Sequence, residues 1–276
     1  MLLASAASLC WGSADFLGGV TTRRLPLSLV LGISYPVGLA AIAILVAERG
    51  ASPPSIGFAG YAAAGGLLGV IGIACLYRGL AVARMGTVAP IAATGPVVPV
   101  VYGLLTGDRL RLIQAAGVAL ALLGVVLVAR ERTPGRATPG TTEGVTLAVA
   151  AALCFGCALI AIDRASVSDP YWSTLLIRAA STLAVLVAVA VRPRKIALSG
   201  HAVAALVLIG LLDLAGTLLF AVSTTRGLIS VVSAGTALPP LVVMLLARAT
   251  LGERLEPLQA GGAAIALAGL VLISAG

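Results

Sequence analysis

The chain has 276 residues, 60% of them hydrophobic and only 10% charged, with a mean hydropathy of +1.12. A typical soluble domain carries about 25% charged residues, so no water-surrounded core could hide this much apolar surface, and a soluble protein is excluded. The formal charge of +8 is scattered in ones, twos and threes between apolar runs. With no basic stripe interleaved with aromatics, it points to cytoplasmic loops and lipid headgroups, away from nucleic acid.

Ten apolar runs follow one another along the chain: 2–22, 26–47, 57–77, 86–106 and 110–129, then 144–163, 171–191, 201–222, 228–249 and 256–275. Each is long enough, as a helix, to cross about 30 Å of hydrocarbon. The first run opens at Met1 without a basic flank. It has a matching partner in the second half, so it reads as a retained span and not as a cleaved leader. The fourth run is interrupted by Pro90, Pro96 and Pro99, and the ninth by Pro239-Pro240. The longest polar stretch, 130–143, is rich in Pro, Gly and Thr and reads as a solvated linker.

The halves repeat each other. At an offset of 145, Gly107-Asp108-Arg109-Leu110, Gln114, Gly117 and Gly124 recur as Gly252-Glu253-Arg254-Leu255, Gln259, Gly262 and Gly269. Upstream the offset is 144, pairing Cys10 with Cys154, Gly12 with Gly156, Gly66 with Gly210 and Pro96 with Pro240. The units are 1–129 and 144–276, with five spans each. An odd number of crossings makes the second unit start from the opposite face. The expected fold is therefore an all-α membrane protein of ten transmembrane helices, built as two inverted five-helix repeats. Internal repetition of this kind is characteristic of secondary transporters, in which the two halves can exchange conformations.

Trp11-Gly12 in the first span, a Gly-Pro or Pro-Pro break in the fourth span of each unit, and the twice-written G-[DE]-R-L-x3-Q-x2-G-x6-G run resemble the EamA-like drug/metabolite transporter family. The resemblance covers essentially the whole chain. It implies an exporter of amino acids or other small metabolites, driven by an ion gradient or by the cargo's own gradient, in a cell membrane. Two departures stand out. Family members commonly carry an Arg in the second span of a repeat; here Arg178 is present in the second unit, but the first has Ile33-Ser34 in the matching region. Family members are also usually drawn with cytoplasmic termini. Here odd-numbered connections hold eleven basic residues (23, 24, 78, 84, 130, 132, 136, 192, 194, 195, 254) and even-numbered ones five (49, 109, 111, 164, 226). The positive-inside rule would put the odd connections in the cytoplasm.

Charges inside lipid cost on the order of 2.5–3.5 kcal/mol each at mid-span, so those present need a reason. Arg178 lies eight residues past Pro170 and Asp213 nine before Val222. On consecutive antiparallel spans both sit roughly 12–14 Å from one face, at a depth matched for an ion pair. Two readings compete: a buried fixing pair, or a pair lining a central cavity and open to a cargo carboxylate or a proton. The matching first-unit residues, Ile33-Ser34 and Gly69, are uncharged, so the fold alone does not demand charges there.

Asp15, matched by Leu159, is a candidate proton or cation site, or an interfacial cap beside Arg23-Arg24. Trp11, aligned with Phe155, either offers a flat face to cargo or fills a helix gap. Pro96 and Pro240 mark helix interruptions that free backbone carbonyls near the midplane, where transporters place their sites; the rival is a plain kink. Asp108-Arg109 and Glu253-Arg254 read as structural, each acid capping the helix that follows it and pairing with its own Arg.

The four cysteines lie inside apolar runs and the one histidine, His201, has no partner cluster, so no metal, cofactor or redox centre is expected. The expected partners are a small-molecule substrate, the lipid bilayer and a coupling proton. A membrane scaffold or an intramembrane enzyme is the alternative; an enzyme would need His, Asp or Glu clustered at one depth, which this chain lacks.

Overall fold

The computed structural model describes residues 1–54, 56–83, 85–129, 141–191, 200–251 and 257–275. Among them are twelve α-helices, one short 3₁₀ turn at Ile56–Phe58, and no strand. In the first repeat these are α1 (Leu2–Thr22), α2 (Leu27–Arg49), α3 (Ala59–Val82), α4 (Met85–Ala92), α5 (Val97–Thr106) and α6 (Leu112–Ala129). In the second they are α7 (Thr141–Ser166), α8 (Pro170–Val191), α9 (Gly200–Thr224), α10 (Ile229–Gly235), α11 (Pro239–Leu251) and α12 (Pro257–Ala275).

Six helical stretches among the described residues are long and apolar enough to cross a bilayer, counting α10 with α11 as one. The expected fourth and ninth spans are each broken in two. Pro96 caps α5 and Pro239-Pro240 open α11; neither supplies the N–H that would carry the preceding helix onward. Expected as linker, residues 141–143 instead form the first turn of α7, where Glu143 sits at the positive end of the helix and meets Arg78 at 3.0 Å.

Small residues let the helices approach closely. A Cβ on Gly117 would fall 2.7 Å from the Gly269 carbonyl, and one on Gly124 would fall 2.6 Å from that of Gly262. On α6 the contacting residues ascend while on α12 they descend, so these two sequence-equivalent helices run antiparallel. The same holds for α2 and α8, where Gly32 meets Val189 and Gly38 meets Arg178. Contacts between repeats also occur in matched pairs. Gly12 on α1 packs on Pro239 and Val242, while Gly156 on α7 packs on Gly95 and Val98. Gly216 on α9 faces Trp11, and Gly72 on α3 faces Phe155. Every residue of one contact maps onto the other by the offset of 144.

One end of the bundle, here the upper face, gathers the ends of α2, α5, α7 and α9. Arg49 there meets Asp169 at 3.2 Å, and the Arg164 guanidinium stands 5.2 Å from the Tyr102 ring. Below it a buried cluster of Ala4, Ala7, Phe58, Ile177, Phe220 and Ala221 fills the upper half of the interior.

Candidate transport site

Beneath that apolar plug lie the mid-span charges. Arg178 Nη1 donates to Asp213 Oδ2 at 2.6 Å, with the Arg178 side chain 4% exposed and that of Asp213 31%. The pair that the matched depths suggested is therefore present, bridging α8 and α9. Arg178 Nη2 donates to Thr217 Oγ1 at 3.3 Å, and Thr217 Oγ1 donates to the Asp213 carbonyl at 2.9 Å. The Tyr35 ring of α2 stands 5.1 Å from the guanidinium carbon, within cation–π range. Gly38, one turn from Tyr35, lets α2 lie close to α9, since a Cβ there would sit 3.2 Å from the Gly210 carbonyl, and in ordinary contact with Arg178 Cδ and Nε at 3.5 Å.

Arg178 Nε is buried and has no hydrogen-bond partner among the described residues, and the same is true of Thr182 Oγ1 one turn along α8. A charged donor held in a low-dielectric interior with one N–H unspent is costly and calls for an acceptor.

Asp15 extends the site. It is exposed, and it lies close enough to Asp213 for the two charges to interact. Tyr35 and Tyr77 feel the Asp15 charge in turn. Asp15 sits seven residues before the end of α1 and Tyr77 five before the end of α3. The polar row thus descends from Arg178–Asp213 toward the lower face, away from the plug. It contains one arginine and two carboxylates, drawn from α1, α8 and α9.

Trp11 lies one turn above Asp15 on α1. Its ring centroid is 5.8 Å from that of Phe220, and its indole lies over Gly216, where a Cβ would fall 2.6 Å from Cδ1. Pro96 and Pro240 lie apart from the charges. Their helix breaks pack instead against the glycines of α7 and α1, with the Gly95 carbonyl facing Gly156 and that of Pro239 facing Gly12.

Asp108 corrects an expectation. It does not cap α6, the helix that follows it: Gln114 Oε1 does, accepting from the Arg111 N–H at 3.0 Å. Asp108 Oδ2 accepts instead from the Ser230 N–H at 3.1 Å and the Ser230 hydroxyl at 2.6 Å, at the start of α10 in the other repeat. Among the described ion pairs there is none between Asp108 and Arg109, which is exposed. Glu253 and Arg254 lie outside the described residues.

Sequence reasoning missed Tyr35, Thr217, Gly38 and Ser230. Thr217 had a signal, lying four residues after Asp213 on the same helix face, and so had Tyr35, a hydroxyl in the middle of an apolar run. Ser230 had none, because its partner belongs to the other half of the chain.

The model of the EamA-like transporter family matches residues 1–130 and 142–275. The chain belongs to this family. It is accordingly a multi-pass integral membrane protein of the drug/metabolite transporter superfamily. A solved structure described only as "Crystal structure of protein" superposes with a TM-score of 0.82, at 20% identity, over 98% of this chain and 94% of that one. At that identity the likeness shows the fold alone. No curated protein matches the chain.

Proposed function

We propose that this EamA-like protein is a ten-crossing secondary transporter of the cell membrane, exporting a small anionic or zwitterionic metabolite such as an amino acid. Transport proceeds by alternating access between inverted repeats. The antiparallel course of α6 against α12 and of α2 against α8 supports inversion, because equivalent helices related by an axis in the membrane plane must run opposite ways.

The observation that carries the reading is the Arg178–Asp213 pair with its unspent Nε. A cargo carboxylate binds Arg178 as a charge-assisted acceptor and weakens the hold of Asp213. Asp213 and Asp15 then offer negative charge to an ammonium group or a proton on the lower side of the site. Neither carboxylate has a charged counterpart in the other repeat, whose matching residues are Gly69 and Leu159. The charges of the site are therefore not duplicated: Asp15 comes from the first repeat, Arg178 and Asp213 from the second.

The test is flux in proteoliposomes with and without a pH gradient. Native protein moves an amino acid or related solute, whereas Asp213→Asn and Arg178→Gln do not, although both remain monodisperse in detergent. Asp15→Asn retains solute exchange but loses acceleration by the gradient. Flux by Asp213→Asn equal to native would remove the pair from the mechanism.

A further inference from the structure

We propose that the upper face is held shut by a polar latch between repeats, centred on Asp108 and Ser230, whose contacts the sequence does not repeat at the equivalent positions of the lower face. The proposal rests on the alternating-access reading.

The latch has a built seat. Asp108 hangs from the turn after α5, where Gly107 adopts φ 111° and the Asp108 N–H donates to the Gly103 carbonyl at 2.8 Å. Its carboxylate fills the space over Gly103, where a Cβ would overlap Oδ2 and approach Ile229 Cγ2 to 2.9 Å. From there Oδ2 takes both Ser230 donors and pins the first turn of α10 to the opposite repeat. A second tie lies on the same face. Arg49 closing α2 bridges to Asp169 and lies 3.9 Å over the Tyr171 ring, while Trp172 Nε1 donates to the Ala51 carbonyl at 3.2 Å. Arg164 over Tyr102 makes a third.

Inverted repeats would build the alternate state by exchanging these contacts. The sequence denies the exchange. At the offset of 144, Arg49 and Asp169 become Pro193 and Leu25, Trp172 becomes Ser28, and Arg164 becomes Val20. Ser230 becomes Gly86, without a hydroxyl, and Gly103 becomes Ala247 or, in the downstream register, Arg248. Asp108 alone has a functional counterpart, Glu253. The lower face has a tie of its own, Arg78 to Glu143 at 3.0 Å, but not these contacts; the two states of the frame are held by different ties, which unbalances them.

The test reads conformation, not transport. Nitroxide labels are placed at exposed Thr106 and Thr225, on opposite repeats at the upper face, after Cys10, Cys75, Cys154 and Cys157 are replaced by Ala. Pulsed electron spin resonance in nanodiscs should give one narrow, short distance in the otherwise native protein. Asp108→Asn and Gly103→Ala should each add a longer-distance population, raising the open-to-closed ratio at this face by about a hundredfold or more where both charge-assisted hydrogen bonds are lost, and by about tenfold where one is kept. Ser230→Ala, which removes no charge and retains the fold should Asp108→Asn not express, should give a smaller shift in the same direction. Distance distributions unchanged in Gly103→Ala and Ser230→Ala would overturn the latch. Movement of the distances in a protein without flux would uphold the latch and refute the transport reading instead.

Discussion

Replacing Asp213 by Asn while keeping Arg178 separates a fixing pair from a working one. The arginine side chain is 4% exposed, its Nε has no partner among the described residues, and the Asp213 carboxylate lies 2.6 Å away. Removing one member of a fully buried pair costs about 3–5 kcal/mol, because the remaining charge is left uncompensated. Asp213 is 31% exposed, so water already screens part of the attraction, and Asn still offers a neutral acceptor. The expected cost is about 2–3 kcal/mol. The double variant Arg178→Met/Asp213→Asn removes the orphaned charge and should return to within about 1 kcal/mol of native. Stability is read from denaturant titration of the purified protein in mixed micelles, and function from solute flux in vesicles. A transport pair loses flux in both variants although the second regains stability. Restored stability together with native flux in the double variant would show that the pair only fixes α8 to α9, and would refute the site assignment.

Other consequences follow from the close contacts. Gly216→Ala places a methyl 2.6 Å from Trp11 Cδ1, which should displace the indole at a cost of about 1–3 kcal/mol and shift its fluorescence in a Trp172→Phe background; an unmoved spectrum would contradict the packing. Gly124→Ala inserts a methyl against the Gly262 carbonyl and Ala266 Cα. Backbone cannot yield there, so the α6–α12 seam should open, with about 1–3 kcal/mol lost and a lower thermal midpoint in detergent. Asp169→Ala removes the acceptor for the Tyr171 and Trp172 N–H groups at 2.7 and 3.0 Å, as well as the partner of Arg49. The lost cap should cost about 1–2 kcal/mol, seen as faster hydrogen exchange in the first turn of α8.

The charge pair was legible in the chain because depth along a helix is arithmetic. Arg178 and Asp213 could be placed from their distances to Pro170 and Val222, with no knowledge of tertiary packing. The helix breaks at Pro96 and Pro239-Pro240 were legible for a similar reason, since proline withholds a backbone donor wherever it occurs. Asp108 shows the limit of such local reasoning. Sequence adjacency offered α6 as the helix to cap, but Gln114 already serves α6, and the docking of the repeats brings the first turn of α10 to the free carboxylate.

What the sequence by itself determined is the solvent and the plan. Apolar content fixes a lipid surround, and duplicated glycines, prolines and Gly-Asp/Glu-Arg-Leu turns fix two copies of one unit. Tertiary structure alone decided how the copies meet: Trp11 over Gly216, Ser230 on Asp108, Tyr35 beside Arg178. The division has a physical cause. Hydropathy and helix period are properties of neighbouring residues, whereas these contacts join residues more than a hundred positions apart, and only the packing of one repeat on the other brings them together.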